Sequence, residues 1–274
     1  MEKIDRLGWA AGIVIVSYGV RAGIRANDPK VLDRAMQCLP HGWKQSSSSS
    51  VVERLYSLIV RDDDRKSKVR RFNLLYGNIE RLARATDAEQ VFEIFESNLR
   101  LHVAEAAPRR VFVHAGVVGW RERAILIPGR SFSGKTTLTS ELVRAGATYY
   151  SDEYAVLDER GHVHPFLKPL AIREEGSARQ KNMDVEALGG TSGAKPLRVG
   201  LVIASEYKSG ARWQPRRLSA GQGALALLAN TVSARRQPEA ALSTLQQIVT
   251  YAPVLSGKRG EAKKMAASLL EMLD

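Results

Sequence analysis

The sequence predicts an α/β protein built around a mixed β-sheet, and three features lead to that prediction. Short β-branched runs alternate with helical patterns along the chain. A glycine-rich stretch at residues 129–137, GRSFSGKTT, separates a strand pattern from a helix pattern, and helical patterns fill the C-terminal end. We expect a mixed α+β segment over residues 1–108 and an α/β unit with C-terminal helices over residues 109–274.

The N-terminal segment opens with an apolar stretch at residues 9–20, which is too short to span a bilayer. Within it, residues 13–16, IVIV, predict a buried strand. The first six residues carry as many acids as bases, and no small-residue cleavage site follows, which argues against a signal peptide. The single cysteine, Cys38, excludes an intramolecular disulfide. These features predict a cytoplasmic protein without a membrane partner.

The chain is basic: lysine and arginine exceed aspartate and glutamate by 41 − 29 = 12. The densest basic stretch, residues 65–71, directly follows the acids at residues 62–64, and it contains no aromatic residues on which bases could stack. A serine run at residues 46–50 predicts a loop. Nucleic-acid binding is therefore not expected, and the charge suits an anionic nucleotide or an acidic protein partner.

The elements around the glycine-rich stretch follow in order. Asp87 is placed to cap a helix that runs to about residue 106, just before Pro108. Residues 111–115 and 123–128 predict two strands, the second leading into the glycine-rich stretch. A helix then runs from Lys135 to about residue 145 and ends at Gly146, which suits a left-handed cap.

The rest of the chain predicts more strands and then helices. Residues 149–157 and 162–166 predict two strands joined by a turn at residues 158–161, and residues 201–204 predict one more buried strand. Helix-start signals follow at Ser219, Pro238 and Glu261.

The stretch GRSFSGKT fits the phosphate-binding pattern G-x-x-x-x-G-K-[ST], known as the P-loop, between a strand and a helix. Gly129 and Gly134 allow the backbone to turn its N–H groups towards a phosphate, and the helix N-terminus adds partial positive charge. Lys135 would reach the β- and γ-phosphates, and the Thr136 hydroxyl would bind Mg²⁺. We therefore expect a nucleoside triphosphate and Mg²⁺ at a loop made of Gly129, Arg130, Ser131, Phe132, Ser133, Gly134, Lys135, Thr136 and Thr137.

Asp152 and Glu153 are the candidate acids of the site. They lie at the end of a strand-like stretch, and Asp152 follows Lys135 by 152 − 135 = 17 residues. A carboxylate at such a strand end could hold the metal or deprotonate the group that attacks the γ-phosphate. The alternative is an acid pair in a surface turn.

The stretches VFVHAGVV, at residues 111–118, and GRSFSGKTTLTSELVRAGATYYSDEYAVLD, at residues 129–158, together resemble the catalytic core of the HPr serine kinase/phosphorylase family. A strand with a histidine, a P-loop, a helix ending in glycine and a paired acid follow one another as in that family. The likeness covers residues 111–173, roughly a quarter of the chain. It implies a P-loop kinase core of the HPr kinase/PEP carboxykinase type and, because the family forms oligomers, a homo-oligomer.

The resemblance also implies a role for each matched residue. Asp152 matches the acid that takes the proton from the attacking serine hydroxyl, and His114 matches a histidine that contacts and tunes that acid. Lys135 and Thr136 match the residues that hold phosphate and metal. Glu153 stands where the family has a second aspartate, which implies a place beside Mg²⁺.

One departure limits the resemblance. Bifunctional members of the family carry an arginine-glycine-leucine-glycine signature where this chain reads LKPLAIREE, at residues 167–175. The resemblance therefore implies neither phosphorolysis nor HPr as the substrate. Glu174 and Glu175 in this stretch are either metal ligands or a surface acid pair.

Three functions remain open on the sequence. The first is an ATP- and Mg²⁺-dependent kinase that transfers the γ-phosphate to a hydroxyl, expected to be a serine of a protein or peptide, with Asp152 as general base. The second is a P-loop ATPase or nucleotide-dependent switch, in which Asp152 and Glu153 form a Walker-B-like pair. The third is a module that senses a nucleotide without catalysis, and the intact Lys135, Thr136 and Asp152 argue against it.

Overall fold

A computed structural model describes residues 3–46, 51–61, 72–173 and 180–272. The predictions for the serine run (apart from Ser46), for the charged stretch at residues 62–71 and for Glu174 and Glu175 lie outside these ranges. The chain divides into two compact units, Met1–Pro108 and Arg109–Asp274. None of the helices in the described residues combines the length and the apolar composition that crossing a bilayer requires.

The N-terminal unit is a six-stranded sheet with two helices. Its strands lie in the order β3-β1-β2-β4-β5-β6, and β2 and β4 form its parallel pair. The elements are β1 (Ala11–Ser17), β2 (Val20–Ala26), α1 (Pro29–Met36), β3 (Lys44–Gln45), β4 (Arg54–Ile59), β5 (Asn73–Gly77), β6 (Glu80–Ala85) and α2 (Ala88–Ala106), with a short 3-10 helix at Lys3–Arg6. Strand β1 confirms the strand predicted at residues 13–16.

Helix α2 packs on the sheet of this unit as its apolar spacing predicts. The Asp87 side chain caps it by accepting a hydrogen bond of 3.0 Å from the Glu89 amide. Phe95 is buried and meets the Tyr56 ring edge-on, with ring centroids 5.3 Å apart. His102 is buried on the same helix.

The C-terminal unit contains the remaining strands and helices. In chain order these are β7 (Val111–Trp120), β8 (Arg123–Pro128), α3 (Lys135–Arg144), β9 (Thr148–Ser151), β10 (Tyr154–Leu157), β11 (His162–His164), β12 (Leu170–Arg173), β13 (Gln180–Met183), β14 (Leu197–Tyr207), β15 (Arg216–Arg217), α4 (Ala220–Leu228), α5 (Pro238–Tyr251), β16 (Val254–Arg259) and α6 (Ala262–Glu271), with 3-10 turns at Glu186–Leu188 and Val232–Arg235.

Eight of these strands form a mixed sheet, as predicted, with the order β11-β10-β7-β8-β14-β16-β15 and β9 paired to β7. Strands β8, β14 and β16 run parallel, so their carboxyl ends meet at one edge. Alternate residues of β8 face opposite sides. Leu126 packs into a core that includes Leu245 of α5, and Ile125 packs into a second core that includes Leu138 of α3 and Leu269 of α6. The strands β12 and β13 form a separate hairpin.

Most of the predicted elements of this unit are confirmed, and two differ. Strand β7 continues past the predicted end at residue 115 to Trp120 and turns into β8 through Arg121 and Glu122, both with positive φ. The strand predicted at residues 149–157 is divided into β9 and β10 by Asp152 and Glu153. The predicted helix starts at Ser219, Pro238 and Glu261 are confirmed as caps or first residues of α4, α5 and α6. Strands β12, β13, β15 and β16 were not predicted.

Candidate functional site

The glycine-rich loop joins the carboxyl end of β8 to the N-terminus of α3. The Gly129 amide donates to the His114 carbonyl at 3.1 Å, which holds the start of the loop against β7. Gly134 caps α3 in the left-handed conformation, with φ +79°, where an L side chain is strained. A Cβ at Gly134 would also lie 2.4 Å from Nη2 of Arg259, so a side chain there would displace that guanidinium group.

Lys135 is the first residue of α3, and its side chain is turned into the loop. The residue is only 6% exposed, and its Nζ donates to the Arg130 carbonyl at 2.8 Å. Burial lowers the pKa of Lys135 to about 8, and the nearby carboxylates of Asp152 and Glu153 oppose that shift. The ammonium group is therefore already placed at a helix N-terminus, where an anion is favoured.

Asp152 lies at the centre of a hydrogen-bond network at the same helix N-terminus. The Thr136 hydroxyl donates to its Oδ2 at 2.9 Å, and the Tyr149 hydroxyl donates to its Oδ1 at 3.0 Å. Asp152 is only 5% exposed. Ser151 explains the local fold, because its Oγ accepts the amides of Glu153 and Tyr154 at 3.1 and 3.0 Å. This side-chain turn interrupts the strand between β9 and β10, at the position of Asp152.

Lys168 completes the charged cluster, and the sequence carried no signal for it. Its Nζ lies 3.8 Å from Oδ1 of Asp152 and 3.3 Å from Oε2 of Glu153. The Lys168 backbone carbonyl lies 3.1 Å from the Tyr149 hydroxyl, where it competes with the Asp152 carboxylate for the one proton of that hydroxyl. Two lysines and two carboxylates therefore share the site, and Lys168 links both acids.

His114 lies on β7 behind the loop. Its amide donates to the Asn230 carbonyl at 2.7 Å, and its ring lies 5.8 Å, centroid to centroid, from the Tyr154 ring. Burial lowers the pKa of His114 to about 4, with further lowering by the charges of Lys135 and Lys168. Within the described residues, the His114 ring makes no hydrogen bond to Asp152, and the two groups act on each other through charge. The contact implied by the resemblance stays a prediction.

The lowered pKa of His114 predicts a dependence of stability on pH. As pH falls below 6.5, the unfolded chain binds a proton at this histidine before the folded chain does, so the free energy of unfolding falls between pH 6.5 and 4. His114→Gln should lose less stability than the wild type across this window in urea unfolding. Exposed His41 is the control, and His41→Gln should follow the wild-type profile. A His114→Gln profile with the wild-type slope would show that the ring is not held neutral.

Arg259, the last residue of β16, anchors the loop from the other side. Its Nη2 donates to the carbonyls of Ser133 and Gly134 at 3.0 and 2.9 Å. The residue is only 2% exposed, and burial lowers its pKa below the ordinary value. The guanidinium carbon also lies 5.5 Å from the centroid of the Tyr207 ring. The Arg259 guanidinium group therefore satisfies two carbonyl groups of the loop.

Replacing this anchor should loosen the loop. Arg259→Leu removes both hydrogen bonds to a charged donor and should lower the free energy of unfolding by about 2 kcal/mol. It should also weaken, by about tenfold, the binding of ATP with Mg²⁺ that the sequence predicts, because the loop carbonyls lose the group that fixes their direction. Thermal unfolding and calorimetric titration measure the two effects. Lys258→Leu, at an exposed neighbour, is the matched control, and equal behaviour of the two variants would contradict the anchoring role.

Phe132, at the tip of the loop, has a left-handed backbone conformation that is unfavourable for a residue with a side chain. Its φ is +66°, and the residue is 82% exposed. With Ala171 and Ile172 of β12 it lines a cavity of about 160 Å³, whose other walls are Gly134, Lys135, Thr136 and Thr137. A bulky residue in the left-handed region costs about 1–2 kcal/mol relative to glycine.

Relieving this conformation should stabilise the protein. Phe132→Gly should raise the free energy of unfolding by about 1 kcal/mol, since glycine adopts positive φ without strain and little buried surface is lost. Phe132→Ala is the control, because it shortens the side chain but keeps the Cβ atom and should give no such gain. A stability of Phe132→Gly below that of Phe132→Ala in chemical denaturation would show that the conformation is not strained.

The oxygen atoms at this helix N-terminus suit Mg²⁺. The described residues contain no cluster of three or more His, Cys, Asp or Glu side chains that could form a metal cage. Mg²⁺, however, is commonly bound through one or two protein oxygens together with water and substrate phosphates. Thr136 and Asp152 place a hydroxyl and a carboxylate side by side, as such a site needs. Glu153 is paired with Lys168, and its place beside Mg²⁺ stays a prediction.

Comparisons with known proteins give distant structural likenesses without a match in sequence. No family model matches the sequence, and no curated protein matches it. Among solved structures, the chain is similar to the HPr(Ser) kinase/phosphatase from Coxiella burnetii, with 12% sequence identity and a TM-score of 0.32. The match covers 59% of this chain and 95% of that chain. The relationship is structural and distant.

Proposed function

We propose that the C-terminal unit is a P-loop kinase that binds ATP with Mg²⁺ at residues 129–137 and transfers the γ-phosphate to a hydroxyl. The observation that carries the proposal is the position of Asp152, whose two carboxylate oxygens accept the Thr136 and Tyr149 hydroxyls next to the buried Lys135. An acid, a hydroxyl and a buried cation meet there at the N-terminus of α3.

The chain supplies positive charge for the phosphates from three sources. The first turn of α3 offers unpaired amides and the positive end of the helix dipole. Lys135 holds an ammonium group within the loop, and burial strengthens its interaction with an anion. Lys168 adds a second cation beside the acid pair. Mg²⁺, when bound by Thr136 and Asp152, would neutralise charge on the phosphate oxygens.

Asp152 is the proposed general base. A base must be held in one position and must stay within reach of the acceptor hydroxyl. Tyr149 fixes one carboxylate oxygen from inside the unit, and Lys168 lies beside the same oxygen. The other oxygen meets Thr136 at the edge of the phosphate loop, where the γ-phosphate of a bound nucleotide would lie. The expected acceptor is a serine of a protein or peptide, as the resemblance implies.

The test is transfer of labelled phosphate. The protein is incubated with γ-labelled ATP and Mg²⁺ in a lysate of its own source cell, and label is followed in protein, in small molecules and as free phosphate. Lys135→Ala and Asp152→Asn are compared with Glu159→Gln, which removes an exposed acid of the same unit. A labelled protein band that both site variants lose, and that Glu159→Gln keeps, supports the protein kinase.

The other outcomes separate the alternatives. Label in a small molecule would keep the kinase and discard the protein acceptor. Free phosphate without labelled product would support a P-loop ATPase or switch with Asp152 and Glu153 as a Walker-B-like pair. Nucleotide binding without any turnover would leave only the sensing module.

A further inference from the structure

A cavity of about 320 Å³ lies at the carboxyl ends of β14 and β16. Residues 210–213, which follow β14, form one wall, and Gly260 and Glu261, which follow β16, form another. Lys264, Met265 and Ser268 of α6 close it. We call it the carboxyl-end cavity, and the catalytic proposal above makes no use of it.

We propose that the carboxyl-end cavity is the nucleoside subsite, which takes the heteroaromatic base and ribose of the nucleotide whose phosphates lie on the glycine-rich loop. The inference rests on the proposed function, because it needs a nucleotide at the loop. It assigns a binding role to a part of the chain that carries no sequence motif.

The sheet topology places this cavity and the loop at the same edge. Strands β8, β14 and β16 are parallel neighbours, and the glycine-rich loop follows the first of them. The walls of the cavity follow the second and the third. Ligands of open α/β sheets bind outside the carboxyl ends of such strands. A nucleotide that has its phosphates at the end of β8 can therefore extend its nucleoside across the ends of β14 and β16.

Arg259 connects the two places directly. Its guanidinium group binds the carbonyls of Ser133 and Gly134 in the loop, while the next residue, Gly260, is part of the cavity wall. A Cβ at Gly260 would lie 2.3 Å from the Ala211 carbonyl oxygen, so the two walls touch through their backbones and leave no room for a side chain. The wall of the cavity is thus held at a fixed place next to the loop.

The lining combines apolar and polar side chains, as a site for a base and ribose requires. Trp213 and Met265 are its larger apolar lining residues, and Arg212, Glu261, Lys264 and Ser268 supply polar or charged groups. An aromatic side chain on which a base stacks, with a few polar groups for its edge, is a common arrangement in nucleotide sites. The indole N–H of Trp213 is buried and has no hydrogen-bond partner among the described residues, so an acceptor on a ligand that reached it would satisfy it.

The test compares ATP with inorganic tripolyphosphate, each titrated calorimetrically in the presence of Mg²⁺ into the full chain. The wild type should bind ATP at least about tenfold more tightly than tripolyphosphate, a difference typical of one stacked base. Trp213→Ala should reduce ATP affinity to near that of tripolyphosphate and leave tripolyphosphate binding unchanged. Ser268→Trp, which fills the cavity from α6, should do the same and serves as a second variant if Trp213→Ala does not fold. Trp43→Ala, in the N-terminal unit, is the control.

Each outcome decides between the inference and the function on which it rests. Equal wild-type affinity for ATP and tripolyphosphate would overturn the nucleoside subsite and keep the phosphate loop. Variants that weaken both ligands equally would also overturn it, because the cavity would then act only through the shape of the loop. If the folded wild type binds neither ligand, the proposed function itself fails and the inference fails with it.

Discussion

Asp152→Asn is expected to lower the rate of phosphoryl transfer by about a thousandfold, while binding of ATP stays measurable. Asparagine has the shape of aspartate, so the Thr136 and Tyr149 hydroxyls keep a polar partner and the network around the residue can persist. The amide cannot accept a proton from the acceptor hydroxyl, so the loss falls on the chemical step. Single-turnover transfer of labelled phosphate, run at saturating ATP, measures it.

Glu153→Gln is the matched control for that experiment. Its carboxylate is paired with Lys168 at 3.3 Å, so we expect a loss far smaller than that of Asp152→Asn. If Glu153→Gln costs as much as Asp152→Asn, the two acids act together on water or metal. That result would replace the general-base assignment with the Walker-B-like one.

Lys135→Met is expected to abolish the stabilisation that ATP gives, without destabilising the protein in the absence of ligand. A ligand at one hundred times its Kd raises the free energy of unfolding by about 2.7 kcal/mol, and this increment should disappear. Methionine fills the space of the lysine stem but carries no charge, so the burial that lowers the pKa of Lys135 to about 8 no longer opposes folding. Thermal unfolding with and without ATP and Mg²⁺ measures both effects.

The pH dependence gives a second readout for the same variant. Between pH 8 and 10.5 the unfolded wild-type chain holds a proton at Lys135 that the folded chain has released, so wild-type stability rises with pH in this window. Lys135→Met should lack that rise, and Lys208→Met, at an exposed lysine of the same unit, should keep it. If unliganded Lys135→Met instead loses much stability, the hydrogen bond from Lys135 to the Arg130 carbonyl stabilises the fold.

The local parts of the site could be predicted from the sequence, because their signals lie within a few residues of one another. The glycine-rich loop has a fixed spacing, and Gly146 ends α3 with φ +101°, as a left-handed cap does. Asp152 was found from its distance along the chain to Lys135. The turn made by Ser151 was not predicted, although a serine before two acids can form it.

The long-range parts could not be predicted in the same way. Arg259 reaches a carbonyl 126 residues away, and no local pattern encodes that contact. Strand β16 was missed because it has only six residues, one of them a glycine, and lies between two helices. So short a segment shows no clear alternation of apolar and polar residues. The end of β7 was placed too early because Gly116 and Gly119 interrupt its apolar run. Both glycines are there for packing, since a Cβ at Gly116 would lie 2.4 Å from the Thr139 hydroxyl and one at Gly119 would lie 2.9 Å from the Tyr150 ring.

The anchoring of the loop by Arg259 has a consequence for how the protein is made. The ribosome releases the glycine-rich loop well before it releases β16. A nascent chain therefore carries the loop without the two hydrogen bonds from Arg259. These hydrogen bonds form only when β16 pairs with β14 in the sheet. Because Arg259 and the loop are far apart in the sequence, we expect their contact to form late. The phosphate binding that we propose for the loop should therefore arise only after β16 has been synthesised and has paired with β14.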